Sequence, residues 1–172
     1  GANVILTARN VERLTETLSM MEGENHKIDV CDQTIEEQIE ELVKEIVKLE
    51  GLFLCSGIGK TLPFQFCSKE KFNEVYDINF FAPIELLRLL VKKKKFADKA
   101  SVVFVSSVAG SGSFNIGNSI YGSSKAALNS MMRFCAVELA KKQIRVNCIC
   151  PGMIDTPLIH NGSLSEEQFQ KD

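Results

Sequence analysis

Short apolar runs alternate with helical patterns along almost the whole chain, and this alternation constrains the fold more than any other feature of the sequence. Residues 3–8 (NVILTA) read as a buried strand. Asn10 is placed to cap a helix in which Val11, Leu14, Leu18 and Met21 recur at helical spacing, with Gly23 as its stop. Residues 26–30 (HKIDV) form a second strand. Thr34 and Glu37 are spaced as a capping box ahead of Ile35, Ile39, Leu42, Val43, Ile46 and Val47, an amphipathic helix that Gly51 ends. Residues 52–55 read as a third strand, and Ser68 caps a long helix over 69–95 interrupted by Pro83. Residues 100–107 (ASVVFVSS) give the strongest strand signal and lead through a small-residue loop into a helix over 121–142. Residues 144–150 are the fifth strand, closed by Pro151 and Gly152, with a loop and the start of another helix beyond.

Strands that are apolar throughout are covered on both faces, and strand–helix alternation makes βαβ units. The expected fold is therefore α/β: a doubly wound, Rossmann-like parallel sheet in a single domain over residues 1–172. Composition agrees. Of 172 residues, 45% are hydrophobic and 24% charged, the range of an ordinary globular domain. The 20 basic and 22 acidic side chains leave a net charge of −2, which argues against a nucleic-acid partner held by a basic surface. No apolar run approaches the roughly 20 residues that span a bilayer, so no membrane partner is expected. The cysteines (Cys31, Cys55, Cys67, Cys135, Cys148, Cys150) include no C-x-x-C pair, and several sit in apolar runs. They suit a reduced, cytoplasmic compartment. No His/Asp/Glu cluster has metal spacing, so no metal is expected. His26 starts a strand away from the expected site, and His160, in the late loop, could at most touch substrate. Lys92 to Lys95 reads as a solvated helix end.

Ligands of doubly wound sheets sit beyond the carboxyl ends of the strands, so the polar residues there carry the function. An acidic residue past the first strand would select a ribose 2′-hydroxyl; Ala8 holds that position and Arg9 follows, an arginine that suits a 2′-phosphate or else is a surface residue on a turn. Asp29 and Val30 end the second strand, where the carboxylate could accept from an adenine amino group or simply serve a turn. Cys55, Ser56 and Gly57 end the third. Past the fourth come Ser106 and Ser107, and on the next helix Tyr121 and Lys125 stand one turn apart on the same face. An ammonium about 4 Å from a phenol, at an effective dielectric of ~20, favours the phenolate by up to about 4 kcal/mol. That is enough to bring its pKa from ~10 toward neutrality. Such a tyrosine exchanges a proton with a carbonyl or alcohol oxygen at working pH, and Ser107 would hydrogen-bond the same oxygen. Pro83 has no N–H for the carbonyl of Asn79, four residues back, which leaves that carbonyl for a water and a proton relay, or marks a plain kink.

Taken in order, LTARN, DVCD, the strand-end CSG, DINFFAP, FVSSVAG, YGSSK and RVNCICPGMIDTP make the chain resemble a short-chain dehydrogenase/reductase, and within that family the 3-oxoacyl-[acyl-carrier-protein] reductases and their relatives. The resemblance implies four catalytic residues: Tyr121 as general acid/base, Lys125 lowering its pKa and holding the nicotinamide ribose, Ser107 orienting the substrate oxygen, and Asn79 holding a relay water. It implies cofactor contacts from Arg9, Asp29, Val30 and Cys55, and from Ile154 and Thr156 in the PGMIDT run. The cofactor implied is NADP(H). The substrate implied is a small carbonyl compound, with a 3-oxoacyl thioester among the candidates, reduced to an alcohol. Helices 69–95 and 121–142 resemble those of a four-helix interface between family subunits, with Leu86, Leu90, Leu128, Met132 and Ala136 supporting a homodimer or homotetramer.

Where the family has Asn-Asn-Ala-Gly this chain has Leu54-Cys55-Ser56-Gly57, and the loop between Ser107 and Tyr121 is about one residue longer than usual. The first βα unit, with its Gly-rich pyrophosphate loop, is expected ahead of Gly1, and the last strand and its helix beyond Asp172. The chain alone is accordingly expected not to bind NADPH. Two other readings stand beside the reductase: a catalytically silent homologue serving as a binding or regulatory subunit, and a nucleotide-sugar epimerase or reductase of the extended family. Asn79, Ser107, Tyr121 and Lys125 speak against the first, and the PGMIDT run against the second.

Overall fold

Asn10 turns the chain from β1 (Ile5–Ala8) into α1 (Val11–Ser19). Its side-chain oxygen accepts from the Arg13 N–H at 2.8 Å, which satisfies one of the free donors of the first turn. The computed structural model describes residues 1–156 and continues with β2 (Lys27–Val30), α2 (Glu36–Glu45), β3 (Leu49–Leu54), α3 (Lys69–Tyr76), α4 (Ala82–Lys92), β4 (Phe96–Val105), α5 (Ser119–Leu139) and β5 (Arg145–Ile149). The expected helix beyond Thr156 and His160 lie outside the described residues.

Every strand pair is parallel, as the alternation requires. β1 lies beside β2 with Ile5 opposite Lys27 and Ala8 opposite Val30. A second piece runs β3-β4-β5, with Leu54 opposite Phe104 and Phe104 opposite Cys148. The expected fold, a doubly wound sheet lacking its first βα unit, leaves two interior strand edges unpaired, and the two pieces agree with it. Among the described residues no strand pair joins β1 to β3, the position where the doubly wound order places a further strand.

The core fills the space between β3-β4-β5 and helices α2, α4 and α5. Ala100, Val102 and Phe104 point inward at a period of two and meet Leu86, Leu87 and Leu90 of α4, Ile39, Leu42 and Val43 of α2, and Leu128 of α5. Each such side chain contributes roughly 1.5–3 kcal/mol on burial. Leu86, Leu90 and Leu128 are thus core, and Met132 and Ala136 pack against it; the helix residues left exposed are Phe81, Phe134 and Val137. The subunit-interface assignment is corrected for Leu86, Leu90 and Leu128, which are core, while Met132 and Ala136 are only half-buried.

Several boundaries differ from the sequence reading. α2 stops at Glu45, because Ile46 is extended (φ −71°, ψ 125°), and Gly51 lies inside β3 rather than ending the helix. Thr34 does not complete a capping box: its hydroxyl and its N–H both donate to Asp32 Oδ1, at 2.7 and 2.9 Å. The Ser68 hydroxyl, likewise, donates to the Glu70 carboxylate rather than capping a backbone group. The lysine run is not simply solvated. Lys95 Nζ donates to the Lys44 and Ile46 carbonyls at the end of α2, and Lys48 Nζ reciprocates on the Lys94 and Phe96 carbonyls. The long helix is broken by one wide turn, Asp77–Phe81, in which the Ala82 N–H bonds the Asp77 carbonyl; Pro83 begins α4 just after it. That wide turn carries Asn79 into the interior.

Candidate active site

The carboxyl ends of β3 and β4 and the first turns of α5 bring Gly57, Asn79, Ser107, Tyr121 and Lys125 to one place. Asn79 is wholly buried, and its side chain is spent on structure. Its Oδ1 accepts from the Ile58 N–H (2.8 Å), and its Nδ2 donates to the Ile58 carbonyl (3.0 Å) and to Ser124 Oγ (3.1 Å). Ser124 in turn donates to the Tyr121 carbonyl at 2.7 Å. One amide thus ties the loop after β3 to the turn of α5 that presents Tyr121. The sequence reading assigned Asn79 only its carbonyl, and missed Ser124 although YGSSK places it three residues after Tyr121.

Lys125 is only 4% exposed and donates to the Val105 carbonyl at 3.0 Å, with its Nζ 5.8 Å from the centre of the Tyr121 ring. Among the described residues it makes no ion pair, and burial depresses its pKa from the ordinary 10.5. Burial also holds the Tyr121 phenol above 10, with a hydrogen bond from Ser107 pulling it partly back. This runs opposite to the acidification expected from the Tyr-Lys spacing. The amine donates to a backbone carbonyl, and loss of water around the phenol is the larger cause of its shift. A Cβ on Gly57 would lie 3.2 Å from Lys125 Nζ and 3.4 Å from Asn79 Oδ1, so glycine keeps open a cradle over the ammonium. A buried ammonium with donors left over, under such a cradle, suits the hydroxyls of a ribose.

The two serines divide their work. Ser106 is buried, and its hydroxyl donates to the Lys125 carbonyl at 3.1 Å. Ser107 accepts from the Ala109 N–H at 3.2 Å, which orients its hydroxyl toward Tyr121. The turn after Ser107 crosses α5 so closely that a Cβ on Gly110 would stand 2.7 Å from the Ala126 nitrogen, and one on Gly122 2.9 Å from the Ala109 carbonyl. Beside this crossing lies a largely apolar cleft of about 370 Å³, lined by Phe64, Gly110, Phe114, Gly122, Ser123 and Ala126 among others.

The remaining candidates also stand at strand ends. Arg9, after β1, is exposed and lies 3.8 Å from Asp32. The Thr34 hydroxyl and N–H, and then Arg9, hold that carboxyl below its usual range. Asp29 and Val30 end β2 and border a polar hollow against α2; Cys55 is exposed after β3; Ile154 is exposed and Thr156 half-buried after β5. Arg9, Asp29 and Val30 lie beside the β1-β2 piece, and the others beside β3-β4-β5.

Residues 1–167 match the family model described as short chain dehydrogenase. The chain is 31% identical over its whole length to a tropinone reductase homolog of Arabidopsis thaliana, spanning 65% of that protein. It is 33% identical to a 3-oxoacyl-[acyl-carrier-protein] reductase of Rickettsia bellii, with 98% of the chain and 68% of the relative covered. Among solved structures, a dehydrogenase/reductase from Sinorhizobium meliloti superposes with a TM-score of 0.89 at 28% identity, over 99% of this chain and 69% of that one. The chain therefore spans about two thirds of the length of the relatives it matches, and its Rossmann-like parallel α/β architecture is theirs.

Proposed function

Because this chain belongs to the short-chain dehydrogenase family, we propose that it forms the catalytic part of an NADPH-dependent reductase that turns a ketone into an alcohol. The observation that carries the reading is the meeting of Ser107 and Tyr121 above a buried, unpaired Lys125. Tyr121 gives its phenolic proton to the substrate oxygen, and Ser107 donates a second hydrogen bond to that oxygen. Lys125 holds ribose hydroxyls with the protons not spent on Val105, and its charge favours the phenolate as the proton leaves. Asn79 fixes the turn of α5 that aims Tyr121, and its carbonyl holds a relay water. Arg9 meets a 2′-phosphate, Asp29 and Val30 flank an adenine, and Cys55, Ile154 and Thr156 border the nicotinamide side. The bound nucleotide supplies the hydride.

The substrate reading is a 3-oxoacyl thioester, which suits the largely apolar cleft beside Gly110 and Phe114. A compact cyclic ketone is the second reading, favoured by the relative named a tropinone reductase homolog. The six thiols, all unpaired, support a reducing cytoplasm, and exposed Phe81, Phe134 and Val137 support a homo-oligomer. No helix among the described residues is long and apolar enough to cross a membrane. The test is turnover of a 3-oxo ester and of a bicyclic ketone by the full-length protein with NADPH and with NADH. Turnover of either ketone that disappears in Tyr121→Phe supports the reading. An intact protein that binds nucleotide but reduces neither would return the chain to the silent, binding-subunit alternative.

A further inference from the structure

Two thiols of β5's exit converge on one acceptor. Cys148 Sγ lies 3.2 Å and Cys150 Sγ 3.7 Å from Asn129 Oδ1, and the amide's other end donates to the Gly110 carbonyl at 3.4 Å. Cys148 and Cys150 thus share one amide oxygen. They sit two residues apart on an extended segment, so both face α5 with Cα atoms about 6.6 Å apart, at the ~6.8 Å outer limit for a disulfide, and closure must draw the Cβ atoms together to within about 4.5 Å. Cys150 is exposed and Cys148 half-buried. An oxidant thus reaches one thiol and finds the other waiting beside it. From this geometry we infer that Cys148 and Cys150 form a reversible disulfide switch whose closure loosens the segment bearing Ser107.

The chemistry is thiol–disulfide exchange with a small-molecule disulfide. The Cys150 thiolate attacks one sulfur of that disulfide, expelling a thiolate and forming a mixed disulfide. The Cys148 thiolate then attacks the Cys150 sulfur and expels the second thiolate. Two cysteines are oxidised, one external disulfide is reduced to two thiols, and two protons leave the protein. Burial and the neighbouring Cys150 push the Cys148 thiol up to about 11, so the second step is slow near neutral pH.

Closure acts at Ile149, the residue between the two sulfurs. Its carbonyl accepts from the Ser106 N–H at 2.8 Å, and the next carbonyl but one, that of Pro151, accepts from the Val108 N–H at 3.0 Å. These two bonds bracket Ser107 and hold it to β5. Drawing the sulfurs into bonding distance bows the backbone at Ile149 and pulls its carbonyl from Ser106. A bridge at the long end of the permitted span is strained, and strained bridges are readily reduced again.

The full-length protein is equilibrated at graded ratios of oxidised to reduced glutathione, quenched with a thiol alkylator and mapped by mass spectrometry without reduction. The expected product is a Cys148–Cys150 bridge that forms as the ratio rises, disappears with dithiothreitol, and is absent from Cys148→Ser and Cys150→Ser. Hydrogen exchange at Ser106 and Val108 should then be roughly tenfold faster in the oxidised wild type than in the reduced, with no such change in Cys148→Ser. Glutathione retained on Cys150 without a bridge, a bridge to Cys55, or full alkylation of both thiols at every ratio would overturn the assignment. A bridge with unchanged exchange would overturn its link to Ser107. Neither readout uses catalysis, so the outcome is separate from that of the reductase reading.

Discussion

Replacing Asn79 by alanine removes three hydrogen bonds at once: two to the Ile58 backbone and one to Ser124. A net worth of about 1 kcal/mol each gives a loss of about 3 kcal/mol. Ile58 is half-buried, so water can repair part of the loss there; Ser124 is fully buried and cannot be repaired so easily. For a chain of this size a loss of about 3 kcal/mol lowers the melting temperature by roughly 6–12 °C. Asn79→Asp makes a sharper comparison. It keeps the acceptor for the Ile58 N–H, forfeits the two donated bonds, and sets a carboxylate near the Lys125 ammonium, since both groups reach the point a Gly57 Cβ would occupy. The new pair offsets part of the loss and raises the Lys125 pKa. Alanine should therefore cost more than aspartate. Urea unfolding of wild type, both variants, Ser124→Ala and the Asn79→Ala/Ser124→Ala double variant measures each term, with about 1 kcal/mol of coupling expected in the cycle. The reasoning fails if Asn79→Ala costs less than about 0.5 kcal/mol, or if aspartate proves worse than alanine.

Lys125→Met should stabilise the folded chain at neutral pH while removing nucleotide-dependent turnover, because it replaces a buried, unpaired ammonium by an apolar group of similar shape. The Lys125 pKa is depressed on folding, so the unfolded chain binds the extra proton. Wild-type stability should rise with pH from the depressed value up to about 10.5, and chemical denaturation of Lys125→Met should lack that rise. The Tyr121 pKa is raised on folding, so wild-type stability should instead fall as pH climbs above 10, and Tyr121→Phe should remove that fall. Tyr121→Phe should also lower ketone reduction by roughly 10²–10⁴-fold, with the circular dichroism spectrum unchanged. Gly110→Ala should destabilise by about 1–3 kcal/mol, because its methyl would enter the backbone of α5, whereas alanine at Gly112, where nothing stands near, should be neutral; thermal melts compare the two. Arg9→Ala should raise the KM for NADPH and leave that for NADH little changed; equal effects on both would remove the 2′-phosphate assignment.

Much of the fold could be read from local pattern because each strand carries a short apolar stretch and the helices carry one apolar face, although Lys27, Asp29 and Arg145 show that the strands are not apolar throughout. The misplaced boundaries are where distant groups decide. Ile46 and Val47 continue the helical spacing of α2, yet the chain turns extended there, and Lys95, just ahead of β4 and remote in sequence, supplies the carbonyl caps. Gly51 reads as a helix stop but lies inside β3, opposite Ser101 of β4. Thr34 has the residue type of a cap, but Asp32, two positions back, offers a nearer partner. At the site, Tyr121 and Lys125 were legible because both lie on one helix, and Ser107 because it ends the most apolar strand. The role of the Asn79 side chain was not, since its partners lie 21 and 45 residues away. Pro83 pointed to the right stretch through its missing N–H, and the structure answers with a wide turn just before it.

The Tyr-x-x-x-Lys spacing fixes where two groups are, and leaves open how acidic one of them is. Helical geometry puts the Lys125 ammonium over the Tyr121 ring, but the ring face is not the hydroxyl, and the amine's bond to Val105 draws it toward the end of β4. With burial favouring the neutral phenol and the neutral amine alike, the protein by itself stores Tyr121 with its proton on. A reductase needs that state at the start of its cycle, when the tyrosine must give a proton. An alcohol oxidase working through the same residues would need the phenolate first. The direction of both shifts therefore favours carbonyl reduction over alcohol oxidation near neutral pH. The same argument predicts that reduction stays flat as pH rises toward 9, while the reverse reaction climbs about tenfold per pH unit over that range as the phenolate fraction grows. A reverse reaction already at its plateau at pH 7 would mean a phenol acidified in the working complex by more than the burial seen here opposes.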